Sequence, residues 1–119
     1  MPMISEIDVD QGLVLTRLVG AVTVAEVEEH NRNLAKDPHF RPDFKQLVDV
    51  SEFTKLYDAA EVGKSAEEHI FSPGASRAVV APSDAAFGMS RMFAIRSESA
   101  GQRIRVFREM NAAKEWLGV

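Results

Sequence analysis

The sequence predicts a single α/β domain with a mixed, mostly parallel five-stranded sheet and four helices. Two short apolar runs joined by a tight turn come first, and three more strand-like runs then alternate with amphipathic segments. Strands separated by single helices lie parallel with right-handed crossovers, because the chain must cross the sheet before the next strand can pair. The predicted order is therefore ββαβαβαβα, with one antiparallel edge.

Composition supports one globular domain covering residues 1–119. The apolar fraction of 45% and the charged fraction of 27% are ordinary for a chain of 119 residues with its own core. The net charge of −4 offers no broad positive field, so we expect no nucleic-acid partner. The absence of cysteine excludes disulfides and thiolate metal sites. With no bilayer-length apolar run and no signal-peptide layout, we expect a cytoplasmic protein without a membrane span.

The first half of the chain contains three predicted strands and one helix. Residues 4–9 and 13–19 read as a hairpin around the turn at 10–12, and residues 46–50 read as a short buried strand. Thr23 and Glu26 form a capping box that begins the first helix, and Asp37 before Pro38 ends it. Its predicted outer face includes Glu28.

The second half repeats a strand and helix unit. Asp58 and Glu61 form a second capping box, and Val62, Ala66 and Ile70 are the predicted inner positions of that helix, which ends at 72–74. Residues 77–81 form the next strand, and a third helix begins at 82–84. The last strand covers 104–107, and the last helix covers about 111–117 and ends at Gly118.

Three segments are distinctive: residues 47–51, 88–93, and the stretch from 104–107 into 113–117. Together with the element order they resemble the SpoIIAA-like branch of the STAS fold, which is loosely similar to lipid-carrying CRAL-TRIO domains. The resemblance covers nearly the whole chain. It implies a small bacterial regulatory or protein-interaction module, although a fold by itself does not fix a function.

One departure from the family pattern concerns the phosphorylation switch. In anti-anti-sigma members of the STAS group, a serine after the aspartate at the head of the second helix is phosphorylated on the surface that meets a partner kinase. Here Asp58 is followed by Ala59 and Ala60, which have no hydroxyl to modify. The resemblance therefore implies a module without the usual phosphoacceptor, and we do not expect the nearby Ser51, Thr54 or Ser65 to replace it.

Catalytic and metal motifs are weak. Residues 63–65 match only the end of a phosphate-binding loop and fall inside a predicted helix. His30, His39 and His69 lack metal-ligand spacing, so we read them as surface histidines and predict no metal or cofactor. Asp49 is the strongest acid/base candidate because it lies at the C-terminal end of a predicted strand, where carboxylates face the ligand crevice of α/β sheets. A turn-capping role for Asp49 is the favoured alternative.

The third helix is the most informative feature. Its apolar side chains form a stripe wider than one sheet contact requires, with Gly88, Met92 and Ile95 on one side and Met89 and Phe93 on an adjacent side. Part of this stripe should meet a neighbouring helix, a second subunit or an apolar ligand. Arg91 and Arg96 flank it, either as holders of an anionic head group or as solvated side chains.

The leading hypothesis is a non-enzymatic regulatory or interaction module that self-associates as a homodimer and meets a regulatory protein partner. The alternative is a small carrier that binds a lipid-like or apolar molecule near the third helix, and an enzyme is the third option. The predicted ligand or partner surface consists of Asp49, Ser51, Asp58, Phe87, Met89, Arg91, Met92 and Phe93.

Overall fold

A computed structural model describes residues 3–119 and confirms the predicted element order. The strands are β1 (Met3–Asp8), β2 (Leu13–Gly20), β3 (Lys45–Phe53), β4 (Ser76–Val80) and β5 (Arg103–Phe107). They form one sheet in the order β1-β2-β3-β4-β5, in which only the β1–β2 pair is antiparallel. The sheet is thus mostly parallel with one antiparallel edge, as the hairpin and the three crossovers predict.

The helices are α1 (Val24–Ala35), α2 (Ala59–Glu67), α3 (Asp84–Ser99) and α4 (Met110–Leu117). Both predicted capping boxes are present, at Thr23 with Glu26 and at Asp58 with Glu61. Gly118 ends α4 with a φ of 76°, in the left-handed region that suits glycine. These helix ends are determined locally, because each cap involves residues that are no more than one helical turn apart.

The two faces of the sheet are covered unequally. Adjacent residues in a strand point to opposite faces, so Leu47 packs with α4 while Val48 points towards the other helices. Residues Val27 of α1 and Ala94 of α3 belong to the cluster on that second face. The structure is therefore a three-layer arrangement with α1, α2 and α3 on one side and α4 on the other.

Two sequence predictions are wrong in detail. Helix α2 ends at Glu67 because Glu68 leaves the helical region with φ −88° and ψ 64°, so Ile70 lies beyond the helix. Ile70 packs instead with Phe71 in a cluster under the loop before β4. Glu28 does not face open water but lies half-buried at the junction of α1 and α2, 3.4 Å from Lys64 Nζ.

Candidate functional site

A cavity of about 100 Å³ lies between the sheet and the layer formed by α1, α2 and α3. Its walls are mainly apolar and come from strands β1 to β4 and from these three helices. The side chains that define its apolar part are Val48, Val50, Tyr57, Val79, Met89 and Phe93. Among its lining residues only Glu68 is exposed, so the cavity reaches solvent beside the end of α2.

Helix α3 buries only small side chains over the sheet. The buried residues of this helix are Ala86, Ser90, Ala94 and Ser97. Val48 lies in the central strand, yet it is only half-buried, whereas its neighbour Leu47 on the α4 face is 1% exposed. A mid-strand valine that keeps accessible surface marks a place where the helix layer does not touch the sheet.

One end of the cavity is polar. Gln46 and Arg77 are paired across β3 and β4, and both line the cavity below its valines. Nε of Arg77 donates to Oε1 of Gln46 at 3.0 Å, and Nη1 donates to Oε1 of Gln102 at 3.1 Å. Ser65 of α2 also lines the cavity, and its buried Oγ has no hydrogen-bond partner within residues 3–119.

Arg77 carries a buried positive charge. Its side chain is 8% exposed and stacks over the ring of Phe71 at 4.8 Å. Burial lowers the pKa of Arg77 to about 10, so the guanidinium remains charged at neutral pH. Within residues 3–119 no carboxylate pairs with it at 4.0 Å or less, and both of its hydrogen-bond acceptors are neutral amides.

The polar end belongs to a hydrogen-bond chain that crosses the sheet under the helices. Gln46 Nε2 donates to Thr16 Oγ1 at 3.0 Å, and Thr16 Oγ1 lies 2.8 Å from Ser5 Oγ. Ser5 Oγ in turn lies 2.7 Å from His30 Nε2 of α1. Burial lowers the pKa of His30, which favours the neutral ring. Three side chains, from β1, β2 and β3, thus connect His30 to Arg77.

Tyr57 closes the apolar end. Its hydroxyl donates to the carbonyl oxygen of Val22 at 2.9 Å, and its backbone amide lies 3.3 Å from Sδ of Met89. Its ring meets Phe53 edge to face, with centroids 5.5 Å apart. Burial, with Glu61 and Glu26 as smaller contributions, raises the pKa of Tyr57 to about 12. The loop between β3 and α2 is therefore tied to both α3 and the end of β2.

Most of the predicted surface residues lie outside this cavity. Asp49 points to the α4 face, where it lines an open groove of about 200 Å³, and its Oδ1 accepts the backbone N–H of Ser51 at 2.9 Å. The expected bond from the Asp49 side chain to the backbone is therefore present, but the predicted turn at residues 51–53 is wrong, because β3 continues to Phe53 with a register shift against β2. Asp58 caps α2, and Ser51 is exposed. We select the cavity over the larger groove because three helices wall it and because buried polar side chains, among them Arg77 and Ser65, line one end of it.

The stripe on α3 divides as the helical spacing predicts. Met89 and Phe93 line the cavity, whereas Met92 is 42% exposed and Ile95 is 59% exposed. Phe87 is half-buried, with the guanidinium of Arg108 4.3 Å from its ring centroid. The two predicted flanking arginines do not line the cavity: Arg91 is exposed, and Arg96 lies against Gly63 of α2, where a methyl group would approach Nη1 to 3.0 Å.

Residues 3–119 contain neither a candidate metal site nor a candidate membrane span. In the part of the chain from Met3 to Val119, no group of three or more histidine and carboxylate side chains is placed to hold a metal ion. The described helices include none with the length and apolar character needed to cross a bilayer. The prediction that all three histidines are at the surface is wrong for His30, because the packing of α1 on β1 half-buries the ring, and His69 is half-buried as well.

The polar end of the cavity was missed from the sequence. Gln46 and Arg77 read simply as the first residues of two apolar strands, and Ser65 as part of a solvated helix face. The one local signal is their spacing: Gln46 is two residues before Val48, and Arg77 is two residues before Val79, so each polar side chain lies on the same face of its strand as a core valine. On that face the covering helices bury a polar side chain, which then requires hydrogen-bond partners.

Comparison with known proteins gives the fold alone. No family model matches the sequence, and no curated protein matches it significantly. A crystal structure from Shewanella loihica PV-4, of an uncharacterized protein from the DUF3478 family with a SpoIIAA-like fold, superposes on the chain with a TM-score of 0.63 at 19% identity. The match covers 97% of this chain and 93% of that one. The chain has a SpoIIAA-like fold.

In this SpoIIAA-like fold, the head of α2 is where the resemblance places the phosphoacceptor serine. Asp58 is the cap of α2, and Ala59 and Ala60 occupy its first two helical positions with their side chains exposed. The start of α2 is therefore accessible, but Ala59 and Ala60 have no hydroxyl group that could be phosphorylated. Of the nearby hydroxyl groups, Ser65 is buried under the helix layer, while Ser51 and Thr54 are exposed.

Proposed function

We propose that this protein is a non-enzymatic ligand-binding module that holds a small apolar molecule in the cavity beneath α1, α2 and α3. The observation that carries the proposal is the half-buried Val48 in the central strand, facing a cavity of about 100 Å³. Ligand sites are typically concave and apolar with a few converging polar groups, and this cavity has that composition. The proposal follows the carrier alternative rather than the regulatory one.

The walls suit a ligand of irregular shape. Met89 and Phe93 come from α3 and oppose the valines of β3 and β4. The thioether of methionine is flexible and polarisable, so it adapts to different apolar surfaces. The loop with Tyr57 lies against Met89, so a ligand that moves the methionine would also move the loop before α2.

An uncharged probe tests binding directly. We expect 1-butanol to shift the ¹³C-methyl NMR signals of Met3 and Met89, which line the cavity, and to leave the signal of the exposed Met92, which does not line it, unchanged. Val48→Phe should abolish the shift, because the ring fills the space above β3. Val9→Phe, the same change at an exposed turn residue, should preserve it. Unshifted Met89 at saturating alcohol would refute the proposal.

Self-association is the second candidate, and the exposed part of the α3 stripe favours it. Met92 and Ile95 leave apolar surface on the outer side of α3, and Leu56 in the adjacent loop is also exposed. Large exposed apolar side chains that cluster are typical of interaction surfaces. A regulatory role would then operate through this surface, since Ala59 excludes the usual phosphoserine switch.

The dimer hypothesis predicts a mass near twice 13.1 kDa in sedimentation experiments. Met92→Glu should shift the protein to a monomer by placing a charge in the apolar contact. Val9→Glu introduces the same charge at an exposed residue in the turn between β1 and β2, and it should leave the mass unchanged. A monomeric wild type at high concentration would exclude self-association without affecting the cavity proposal.

A further inference from the structure

Among the described residues, the buried guanidinium of Arg77 has no counter-charge. A charged group taken out of water costs several kcal/mol unless an opposite charge and hydrogen bonds compensate it. Gln46 and Gln102 accept hydrogen bonds from Nε and Nη1, but they carry no charge. Neither of these two bonds involves Nη2. The two amides orient the guanidinium and leave the N–H groups of Nη2 outside both bonds.

A second polar group at the same cavity is also unsatisfied. Ser65 is 9% exposed, and its Oγ has no hydrogen-bond partner within the described chain. A buried hydroxyl without a partner is uncommon, because its desolvation is not offset. Ser65 comes from α2 and Arg77 from β4, so the two approach the cavity from the helix layer and from the sheet.

From these groups we infer that the ligand is a short-chain monocarboxylate whose carboxylate pairs with Arg77 and accepts a hydrogen bond from Ser65. The inference rests on the proposed function and names the ligand class. The guanidinium fork matches a carboxylate in a bidentate or single-bonded geometry, and such charge-assisted bonds are the strong ones in proteins. The aliphatic tail then lies along Val48, Val79 and Phe93.

Charge and size restrict the ligand to this class. One guanidinium balances one negative charge, whereas a phosphate monoester brings about −1.5 to −2 charges and needs further cationic partners. No lysine or second arginine is among the lining residues of the cavity. An engineered cavity of about 150 Å³ in another protein holds benzene, so about 100 Å³ suits a chain of a few carbons.

The test compares butyrate with 1-butanol, which share the tail and differ in charge. Binding is followed by the methyl signal of Met89, with the exposed Met92, which does not line the cavity, as the internal reference. We expect butyrate to bind at least about tenfold more tightly than the alcohol, because a hydrogen bond to a charged group contributes about 1.5–3 kcal/mol. This comparison uses the wild-type protein and does not depend on any variant folding.

Variants assign the preference to Arg77. Arg77→Met should abolish the preference for butyrate while 1-butanol still binds, and Arg77→Lys should retain part of it because the charge remains. Arg91→Met removes an exposed arginine from the same helix layer and should leave both affinities unchanged.

The outcomes separate the two proposals. Equal affinity for butyrate and 1-butanol in the wild type, or tighter binding of the alcohol, would overturn the carboxylate inference and leave the cavity proposal standing. A Met89 signal that moves with neither probe would overturn both. Selective binding of butyrate that persists in Arg77→Met would also overturn the assignment to Arg77.

Discussion

Gln46 binds Arg77 from the neighbouring strand, with Nε of the arginine 3.0 Å from Oε1 of the amide. The same amide donates through Nε2 to Thr16 on its other side. One side chain in β3 therefore fixes the polar end of the cavity and joins three strands by side-chain bonds. The buried guanidinium is held in place by a neutral group rather than by a carboxylate.

Gln46→Leu should lower the free energy of unfolding by about 2–3 kcal/mol, because it leaves Nε of Arg77 buried without an acceptor. Urea denaturation at neutral pH measures the change. Gln11→Leu is the matched control, since Gln11 contacts Asp8 in an exposed turn, and it should change stability by less than about 0.5 kcal/mol. Equal effects of the two substitutions would contradict the role given to Gln46.

His30 should make the protein less stable in mild acid. Burial places the pKa of the native ring below its ordinary value of 6.5, so the unfolded chain binds a proton at a higher pH than the native state does. The free energy of unfolding should therefore fall as the pH drops below about 6.5. Urea unfolding at pH 7.5 and 5.5 measures the difference.

His30→Gln should reduce this loss of stability, since an amide can still meet Ser5 but does not titrate. His39→Gln, at an exposed position, should retain the wild-type pH dependence. Identical pH dependence in the wild type and His30→Gln would show that His30 does not contribute.

Tyr57 should ionise at an unusually high pH. It is the single tyrosine of the chain, so the phenolate absorbance reports on it alone. Because burial raises the pKa of Tyr57 to about 12, the native midpoint should lie well above the midpoint near 10 of the urea-denatured protein. Stability should fall between these two values as the pH rises, since only the unfolded chain ionises there. A native midpoint near 10 would contradict the buried position of Tyr57.

Val48→Phe should be tolerated better than the same change at Val14. Val14 is 0% exposed, and extra volume in a filled core costs about 1–3 kcal/mol. At Val48 the added ring enters the cavity, so the free energy of unfolding should fall by less than about 1 kcal/mol. If urea denaturation showed equal losses of unfolding free energy for Val48→Phe and Val14→Phe, the helices would be in contact with the sheet at Val48 and the cavity would be absent.

Local signals made most of the fold predictable. The capping box at Asp58 and Glu61 and the turn before Leu13 each lie within a few residues, so the helix and the hairpin follow from sequence. The division of the α3 stripe between Met89 and the exposed Met92 was also predictable, because the angle between helical positions is fixed.

The polar end of the cavity could not be predicted in the same way. Gln46 and Arg77 are 31 residues apart, and their contact depends on the register between β3 and β4, which no local pattern specifies. His30 was misassigned for a related reason: its burial depends on Ser5, 25 residues away in an edge strand. Contacts of this kind depend on the assembled sheet.

A crystal structure of the protein grown with butyrate tests the central claim most directly. We expect density for the ligand above Val48, with a carboxylate oxygen about 2.8 Å from the guanidinium of Arg77 and the tail against Phe93. A cavity that contains only water at saturating butyrate, or side chains of α3 collapsed onto β3, would contradict it.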